Sequence, residues 1–194
     1  MEINANSVLD AKGLACPMPV VRTKKAMKTV EPGQVLEVQA TDQGTKADLK
    51  AWAESAGHQY LGTLEEGAIL KHYIRKSTEE EKGEINYPHI ASNESLAEKL
   101  AVDENIVLID VREAAEYVFN HIPKAINIPL GDLEERSSEL NKDDEIYVVC
   151  RTGNRSDFAA QKLTALGFSN VKNVVPGMSG WDGSTKNSNE QGGN

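Results

Sequence analysis

The sequence predicts two small domains of different class in one chain, an α+β domain followed by an α/β domain with a parallel sheet. The chain has 194 residues, more than the roughly 100–150 residues usual for one domain. A charge-rich segment without apolar periodicity, residues 77–86, divides it. Short apolar runs alternate with helix-like patterns on both sides of that segment. We therefore expect domains over 1–76 and 87–182, joined by a solvated linker over 77–86.

The N-terminal domain has the predicted element order βαβαββ. Val8-Leu9 is a short strand candidate, and apolar residues at helical spacing follow Pro17. Alternation after Gln34 predicts a strand, and Glu65-Glu66-Gly67 predicts the turn of a closing hairpin. The expected strands span 8–9, 34–40, 60–64 and 68–74, and the expected helices span 17–30 and 45–55.

The C-terminal domain alternates short apolar runs with amphipathic patterns, which is typical of a parallel sheet covered by helices. The expected strands span 106–110, 125–128, 146–150 and 171–175, and the expected helices span 92–101, 113–119, 132–140 and 156–166. Residues 183–194 are dominated by Ser, Asn and Gly, so we expect them to form a disordered tail.

The charge of the chain is unevenly distributed between its halves. Residues 1–76 contain 10 basic and 9 acidic residues, a net charge of +1, whereas residues 77–194 contain 11 basic and 21 acidic residues, a net charge of −10. This balance argues against a nucleic-acid partner, which requires clustered cations. No apolar run approaches the roughly 18 residues of a membrane span, and the N-terminus lacks a secretory signal pattern, so no membrane partner and a cytoplasmic location are expected.

Cys150 ends the apolar run 146–149 and precedes a polar loop and a helix. Backbone N–H groups in such a strand–loop–helix turn can converge on an anion at the helix N-terminus. Gly153 frees the turn sterically, Asn154 tolerates a left-handed conformation, and Ser156 is the expected N-cap. The amides, the helix dipole and the flanking arginines would all favour a Cys150 thiolate. The alternative is a strand-end cysteine buried as a small hydrophobe.

The loop and three further segments of the C-terminal domain resemble the rhodanese family of sulfurtransferases. These segments are Asp110-Val111-Arg112-Glu113 with Glu116, His121 to Pro129, and Gly177 to Trp181, with Asn120 and Lys124 standing where glycine is usual. The resemblance implies a rhodanese-like parallel-sheet α/β domain and a Cys150 persulfide, which the loop amides and Arg155 would stabilise. We assign donor binding to the loop residues Arg151, Thr152, Gly153, Asn154 and Arg155. Asp110 and Arg112 are expected to form a structural ion pair, and Glu113, Glu116 and His121 to be scaffold or surface.

Loop length separates this interpretation from a phosphatase. The resembling phosphatases and arsenate reductases have a seven-residue Cys-to-Arg loop, whereas Cys150 to Arg155 is six residues, as in the sulfurtransferases. We therefore do not expect phosphatase activity.

Cys16 lies in Leu14-Ala15-Cys16-Pro17-Met18-Pro19, just before the first predicted helix. With Pro17 as the first helical residue, the helix dipole would favour a Cys16 thiolate. The alternative is a proline-flanked helix start whose cysteine is only the helix cap.

Most of residues 1–75 is similar to the TusA/SirA family of sulfur carriers. The similarity covers Leu9 to Pro19, Thr23-Lys24-Lys25-Ala26, Ala40-Thr41-Asp42, Trp52 and Gly57-His58. It implies a two-layer βαβαββ fold and a persulfide on Cys16. The basic residues of the first helix, Arg22, Lys24, Lys25 and Lys28, are either a solvated face or a docking surface for an acidic partner.

The combined hypothesis is a sulfurtransferase without a resident cofactor, in which the only intermediate is a covalent cysteine persulfide. Cys150 is the expected nucleophile, and Cys16 is the expected acceptor or carrier thiol. The four histidines are scattered without metal-ligand spacing, so no metal site is expected. The expected partners are small sulfur donors, low-molecular-weight or protein thiol acceptors, and a possible second copy of the chain. The alternative is a non-catalytic persulfide carrier or a sensor of reactive sulfur that binds protein partners.

Overall fold

The computed structural model describes residues 3–102 and 105–188, which form two compact units divided between Glu79 and Glu80. Within these residues the strands are β1 (Ser7–Asp10), β2 (Val35–Ala40), β3 (Gln59–Glu66), β4 (Ile69–Arg75), β5 (Ile90–Ser92), β6 (Val107–Asp110), β7 (Ile126–Asn127), β8 (Ile146–Val149) and β9 (Val171–Val175). The helices are α1 (Met18–Ala26), α2 (Thr45–Ser55), α3 (Asn93–Val102), α4 (Ala114–Phe119), α5 (Leu133–Arg136) and α6 (Asn154–Ala165). None of the helices in this described part is long and apolar enough to cross a membrane.

The first unit has the predicted βαβαββ order and two layers. Its sheet has the strand order β1-β2-β4-β3, with β1 parallel to β2 and the remaining pairs antiparallel. Alternation along β2 directs Leu36 and Val38 to a core with Leu49 of α2, whereas Glu37 hydrogen-bonds to Tyr73 of β4. The helices therefore cover one face of the sheet.

The second unit has the predicted parallel sheet, with strand order β5-β9-β8-β6-β7. Alternation along β8 sends Ile146 and Val148 into the core shared with α6, and Tyr147 and Val149 into the core shared with α3. Helices therefore lie on both faces of the sheet, and the residue after Val149 is directed to the α6 face.

Several helix and strand bounds differ from the prediction, and two elements differ in kind. Strand β5 was not predicted, because its three residues are too short for a periodic pattern. The helix expected over 132–140 is instead α5 followed by a 3-10 turn, Ser137–Glu139.

The interpretation of residues 77–86 as a solvated linker needs correction. The Ser77 hydroxyl donates to the Gly57 carbonyl at 2.6 Å, within the first unit. In the second unit, Glu81 pairs with Arg155 at 3.4 Å, and the Gly83 carbonyl accepts from Asn154 at 2.5 Å. Both ends of the segment are therefore held by the unit on their own side, so the segment is not a solvated linker throughout.

The tail prediction for 183–194 is wrong where the structure describes it. His121 and Lys186 exchange two backbone hydrogen bonds of 3.0 and 2.8 Å in an antiparallel bridge, and the Ser188 N–H donates to the Val118 carbonyl at 2.9 Å. Backbone hydrogen bonds therefore hold this part of the chain, although its side chains are mostly polar. Residues 189–194 lie outside the described residues.

Candidate functional site

Cys150 lies at the carboxyl end of β8, in the middle of the parallel sheet, and is completely buried. Its side chain belongs to the core on the α6 face, as the alternation along β8 requires. Ligand sites of open parallel sheets characteristically lie at the carboxyl ends of central strands. The position therefore fits a reactive group on a rigid base.

The turn after Cys150 depends on Gly153. This residue has φ 95°, a left-handed conformation that side chains disfavour, and a Cβ there would lie 3.3 Å from the Val175 side chain. Its N–H donates to Cys150 Sγ at 3.1 Å. Gly153 is thus the residue that brings an amide onto the sulfur.

Helix α6 begins two residues earlier than the sequence suggests, which corrects two local assignments. Gly153 is the N-cap, and Asn154 is already helical rather than left-handed. Ser156 is not the N-cap; it lies buried inside the first turn of the helix. Ser156 was predicted as the N-cap because serine is common at that position. The sequence does not show that Gly153 adopts a left-handed conformation and starts the helix earlier.

The loop presents backbone donors without partners. The Cys150 and Arg151 carbonyls accept from the N–H groups of Met178 and Ser179, each at 2.8 Å. Because a trans peptide directs N–H opposite to C=O, the following two amides point the other way. The N–H groups of Arg151, Thr152, Asn154 and Arg155 make no hydrogen bond within residues 3–102 and 105–188. Such a group of amides at a helix N-terminus favours an anion.

Gly177, which follows β9, makes this arrangement possible. It has φ 81°, and a Cβ at this position would clash with the Cys150 carbonyl oxygen. The Asn93 side chain binds Gly177 through both its amide atoms, at 2.9 and 3.2 Å. The close approach therefore requires glycine.

Arg155 has different partners from those expected at the sequence level. Its guanidinium makes two hydrogen bonds with the Glu116 carboxylate, of 2.7 and 2.9 Å, and both side chains are buried. Burial opposes the charge, but Glu116, with Cys150 and Glu81 contributing less, raises the pKa of Arg155 above its ordinary value. Glu116 is thus a buried anchor, and Arg155 fixes the loop to α4.

Arg151 remains as the unpaired cation of the loop. It is half-buried, and its guanidinium makes no hydrogen bond or ion pair within the described ranges. Thr152 donates to the Asn154 side chain at 3.2 Å, which stiffens the loop. Asp110 and Arg112 form the expected structural ion pair, with 2.6 Å between the closest atoms.

The backbone conformation of Lys124 explains why glycine is usual at this position. It has φ 72°, the left-handed region, and is the one non-glycine residue of the described chain found there. A side chain at this φ is disfavoured.

Cys16 lies on the surface of the first unit, before α1. Pro17 is the N-cap of that helix rather than its first residue, and the Cys16 N–H donates to Asp42 at 3.0 Å. A hydrogen bond to the Asp48 carboxylate, with smaller effects of burial and of both carboxylates, raises the pKa of the Cys16 thiol. The two carboxylates thus oppose the effect expected from the helix dipole, which would favour the thiolate.

Arg22, Lys24 and Lys25 of α1 are exposed, and so is Lys28, two residues after the helix ends. None of them has an ion-pair partner in the described part of the chain. This leaves the surface available for an acidic partner.

A buried polar cluster behind the Cys16 loop was not predicted. His72 contacts the Thr45 hydroxyl through Nε2 at 3.0 Å and the Tyr60 hydroxyl through Nδ1 at 2.8 Å. Thr45 in turn donates to the Asp42 carbonyl at 2.6 Å. The His72 side chain thereby supports the residue that holds the Cys16 amide. The signal available in the sequence was a histidine at an inward position of an apolar strand.

His72 makes the stability of the first unit depend on pH. Burial, together with the Lys46 charge, lowers the pKa of His72 to about 4 from its usual value near 6.5. Between these values the unfolded chain binds a proton that the folded chain does not, so the free energy of unfolding falls as the pH falls. We expect His72→Gln to flatten this fall, measured by urea unfolding with Trp52 fluorescence in a Trp181→Phe background. Equal slopes in both proteins would contradict the role assigned to His72.

No group of three or more His, Cys, Asp or Glu side chains within the described ranges could hold a metal ion. Both cysteines are free thiols, Cys16 exposed and Cys150 buried.

Each of the two units matches a known protein family. Residues 7–76 match the family model of the sulfurtransferase TusA, and residues 92–184 match that of the rhodanese-like domain. The chain is similar to the "Putative sulfur carrier protein YrkF" of Bacillus subtilis strain 168, with 50% identity over 184 residues, 95% of this chain and 100% of YrkF.

Two further relatives from the same organism each match one unit. The "Putative sulfur carrier protein YrkI" is 61% identical over 74 residues, 38% of this chain and 99% of YrkI. The "Putative sulfurtransferase YtwF" is 43% identical over 98 residues, 50% of this chain and 94% of YtwF. The two halves of the chain thus have relatives that exist separately.

Proposed function

We propose a specific reaction for this chain, which belongs to the family of sulfurtransferases that join a TusA domain to a rhodanese-like domain. Cys150 takes a sulfane sulfur from thiosulfate or a persulfide donor and passes it to a thiol acceptor, with Cys16 as the carrier. The observation that carries the proposal is the set of unpaired loop amides around a sulfur that already accepts one N–H.

The first step of the proposed reaction forms a persulfide. The Cys150 thiolate attacks the outer sulfur of thiosulfate, a new S–S bond forms, and sulfite leaves with the electron pair of the old bond. The terminal sulfur carries the negative charge, and the loop amides and Arg151 are the groups that would stabilise it. A cofactor is not required, because the intermediate is covalent.

The second step returns Cys150 to its starting state. An acceptor thiolate attacks the terminal sulfur, and the Cys150 thiolate leaves. Cys16 suits the acceptor role because it is exposed and can lose its thiol proton to the solvent. We propose the cytoplasm as the location, since both cysteines must remain thiols.

We expect labelled sulfur loaded on Cys150 to appear on Cys16 at a rate independent of protein concentration. The units are joined by a short connection, and such a tether gives an effective concentration on the order of millimolar where it allows contact. The measurement is peptide mass spectrometry at several dilutions, with Cys16→Ser as the control. A rate proportional to concentration would show exchange between molecules, and absence of label on Cys16 would rule out the relay.

One observation favours the alternative of a non-catalytic carrier or sensor. The Cys150 side chain has no exposed surface, which suits holding a sulfur more than rapid exchange with small molecules. Steady-state turnover with thiosulfate and cyanide separates the alternatives: a carrier or sensor would take up one sulfur per chain and stop.

A further inference from the structure

A buried hydrogen-bond network beneath the Cys150 sulfur takes no part in the steps described above. It joins Ser156 of α6 to Asn173 of β9, and neither residue has exposed surface. Ser156 Oγ lies 2.6 Å from Asn173 Oδ1 and 3.2 Å from Cys150 Sγ. We propose that Ser156 is a positioning residue whose hydroxyl proton turns from Asn173 to the sulfur when Cys150 loses its proton. This inference rests on the proposed function, in which Cys150 is the nucleophile.

The orientation of the Asn173 amide determines where the Ser156 proton lies. The Gly153 carbonyl can only accept, so the atom 3.1 Å from it must be the amide nitrogen of Asn173. The amide oxygen then faces Ser156 and must accept the hydroxyl proton at 2.6 Å. Since a serine hydroxyl has one proton, its contact with Cys150 requires the S–H group to donate. The network is complete for a neutral thiol.

Loss of the sulfur proton changes this balance. A thiolate has no proton to donate, and neither has the inner sulfur of a persulfide. If the Ser156 hydroxyl kept donating to Asn173, its oxygen lone pair would then face a sulfur that can only accept a hydrogen bond. Rotation of the hydroxyl gives the sulfur a donor beside the Gly153 N–H but takes one from Asn173. Asn173 therefore competes with the sulfur for a single proton, and this competition disfavours the thiolate.

The charged groups around the sulfur act separately from this competition. The Arg155 guanidinium interacts electrostatically with Cys150 and is paired with Glu116. The other charged side chains of the adjoining elements are Glu81, Asp110, Arg112, Arg151, Asp157 and Lys172. All of them remain in each variant below, so their effect cancels in a comparison of variants.

The test is a double-mutant cycle on the full chain in a Cys16→Ser background, with iodoacetamide as the probe. Alkylation forms an Sγ–C bond, iodide leaves, and the thiol proton passes to the buffer. Asn173→Val frees the Ser156 proton for the sulfur, so we expect alkylation below the midpoint of the pH profile to become about fivefold faster, the value of roughly one hydrogen bond. With Ser156→Ala present, the same substitution should change the rate by less than about twofold.

An equal change with and without Ser156 would overturn the proposal, because Asn173 would then act through packing. An unchanged rate for Asn173→Val in the presence of Ser156 would overturn it as well. Only variants that retain the thermal unfolding transition enter the cycle.

A second measurement leaves Asn173 intact and covers the case in which its substitution prevents folding. The infrared S–H stretch of Cys150 in the Cys16→Ser background should have the lowered frequency of a donating thiol and should rise in Ser156→Ala. An unchanged frequency would overturn the proposal. Neither measurement uses a sulfur donor, so failure of sulfur transfer would leave both results interpretable.

Discussion

Cys150→Ser is expected to lower thiosulfate sulfurtransferase turnover by more than about 1,000-fold, to the level of the uncatalysed reaction. A hydroxyl cannot form a persulfide, and the Gly153 N–H donates to this sulfur beside loop amides that have no partner within the described residues. The core around residue 150 should tolerate the change, because serine is slightly smaller than cysteine. The measurement is steady-state sulfite release, with thermal unfolding of the variant to show that the second unit is folded.

Cys16→Ser is the matched control for this experiment. It makes the same atomic change in the first unit, and we expect it to spare most turnover with cyanide or a small thiol, which can reach Cys150 without the carrier. Full activity in Cys150→Ser would refute the assignment of the nucleophile. Loss of activity with small acceptors in Cys16→Ser would assign Cys16 to an obligatory step.

The architecture could be predicted because its signals are periodic. The continuous apolar run from Ile146 to Val149 predicted the strand and therefore placed the cysteine at its carboxyl end. Strand β5 and the bridge at Lys186 were not predicted, because they depend on backbone pairing with distant segments. The segment containing Glu81 was taken as solvated because charge usually indicates exposure, whereas here Arg155 compensates a carboxylate that is almost buried.

The candidate site could be predicted in its residue types but not in its hydrogen bonds. Sequence reasoning selected Cys150 and the loop that surrounds it. The sequence predicted Ser156 as a helix cap and Arg155 as a residue that binds the sulfur donor. Both predictions lacked the hydrogen-bond partners of these side chains, which a loop pattern does not show. Asn173, a polar residue in the otherwise mainly apolar strand β9, was the available sign of the network beneath the sulfur.

Arg155→Ala is expected to destabilise the second unit by about 3–5 kcal/mol, because it leaves the buried Glu116 carboxylate without its partner. The remaining activity should fall equally with anionic thiosulfate and with an uncharged persulfide donor, since the guanidinium is engaged by carboxylates. Arg155→Lys keeps the charge but loses the paired hydrogen bonds, so it should be destabilised less and show the same ratio of activities. Chemical unfolding and assays with both donors measure these effects.

Arg151 provides the contrast that separates anchoring from donor binding. Its guanidinium has no partner among the described residues, and its backbone N–H is one of the unpaired loop amides. Arg151→Ala should leave stability nearly unchanged but reduce kcat/KM for thiosulfate about tenfold relative to the uncharged donor, as expected for one charge-assisted contact. Arg151→Lys should restore much of that ratio. If Arg155→Ala instead reduced thiosulfate turnover selectively, Arg155 would bind the donor, and its pairing with Glu116 would have to open during the reaction.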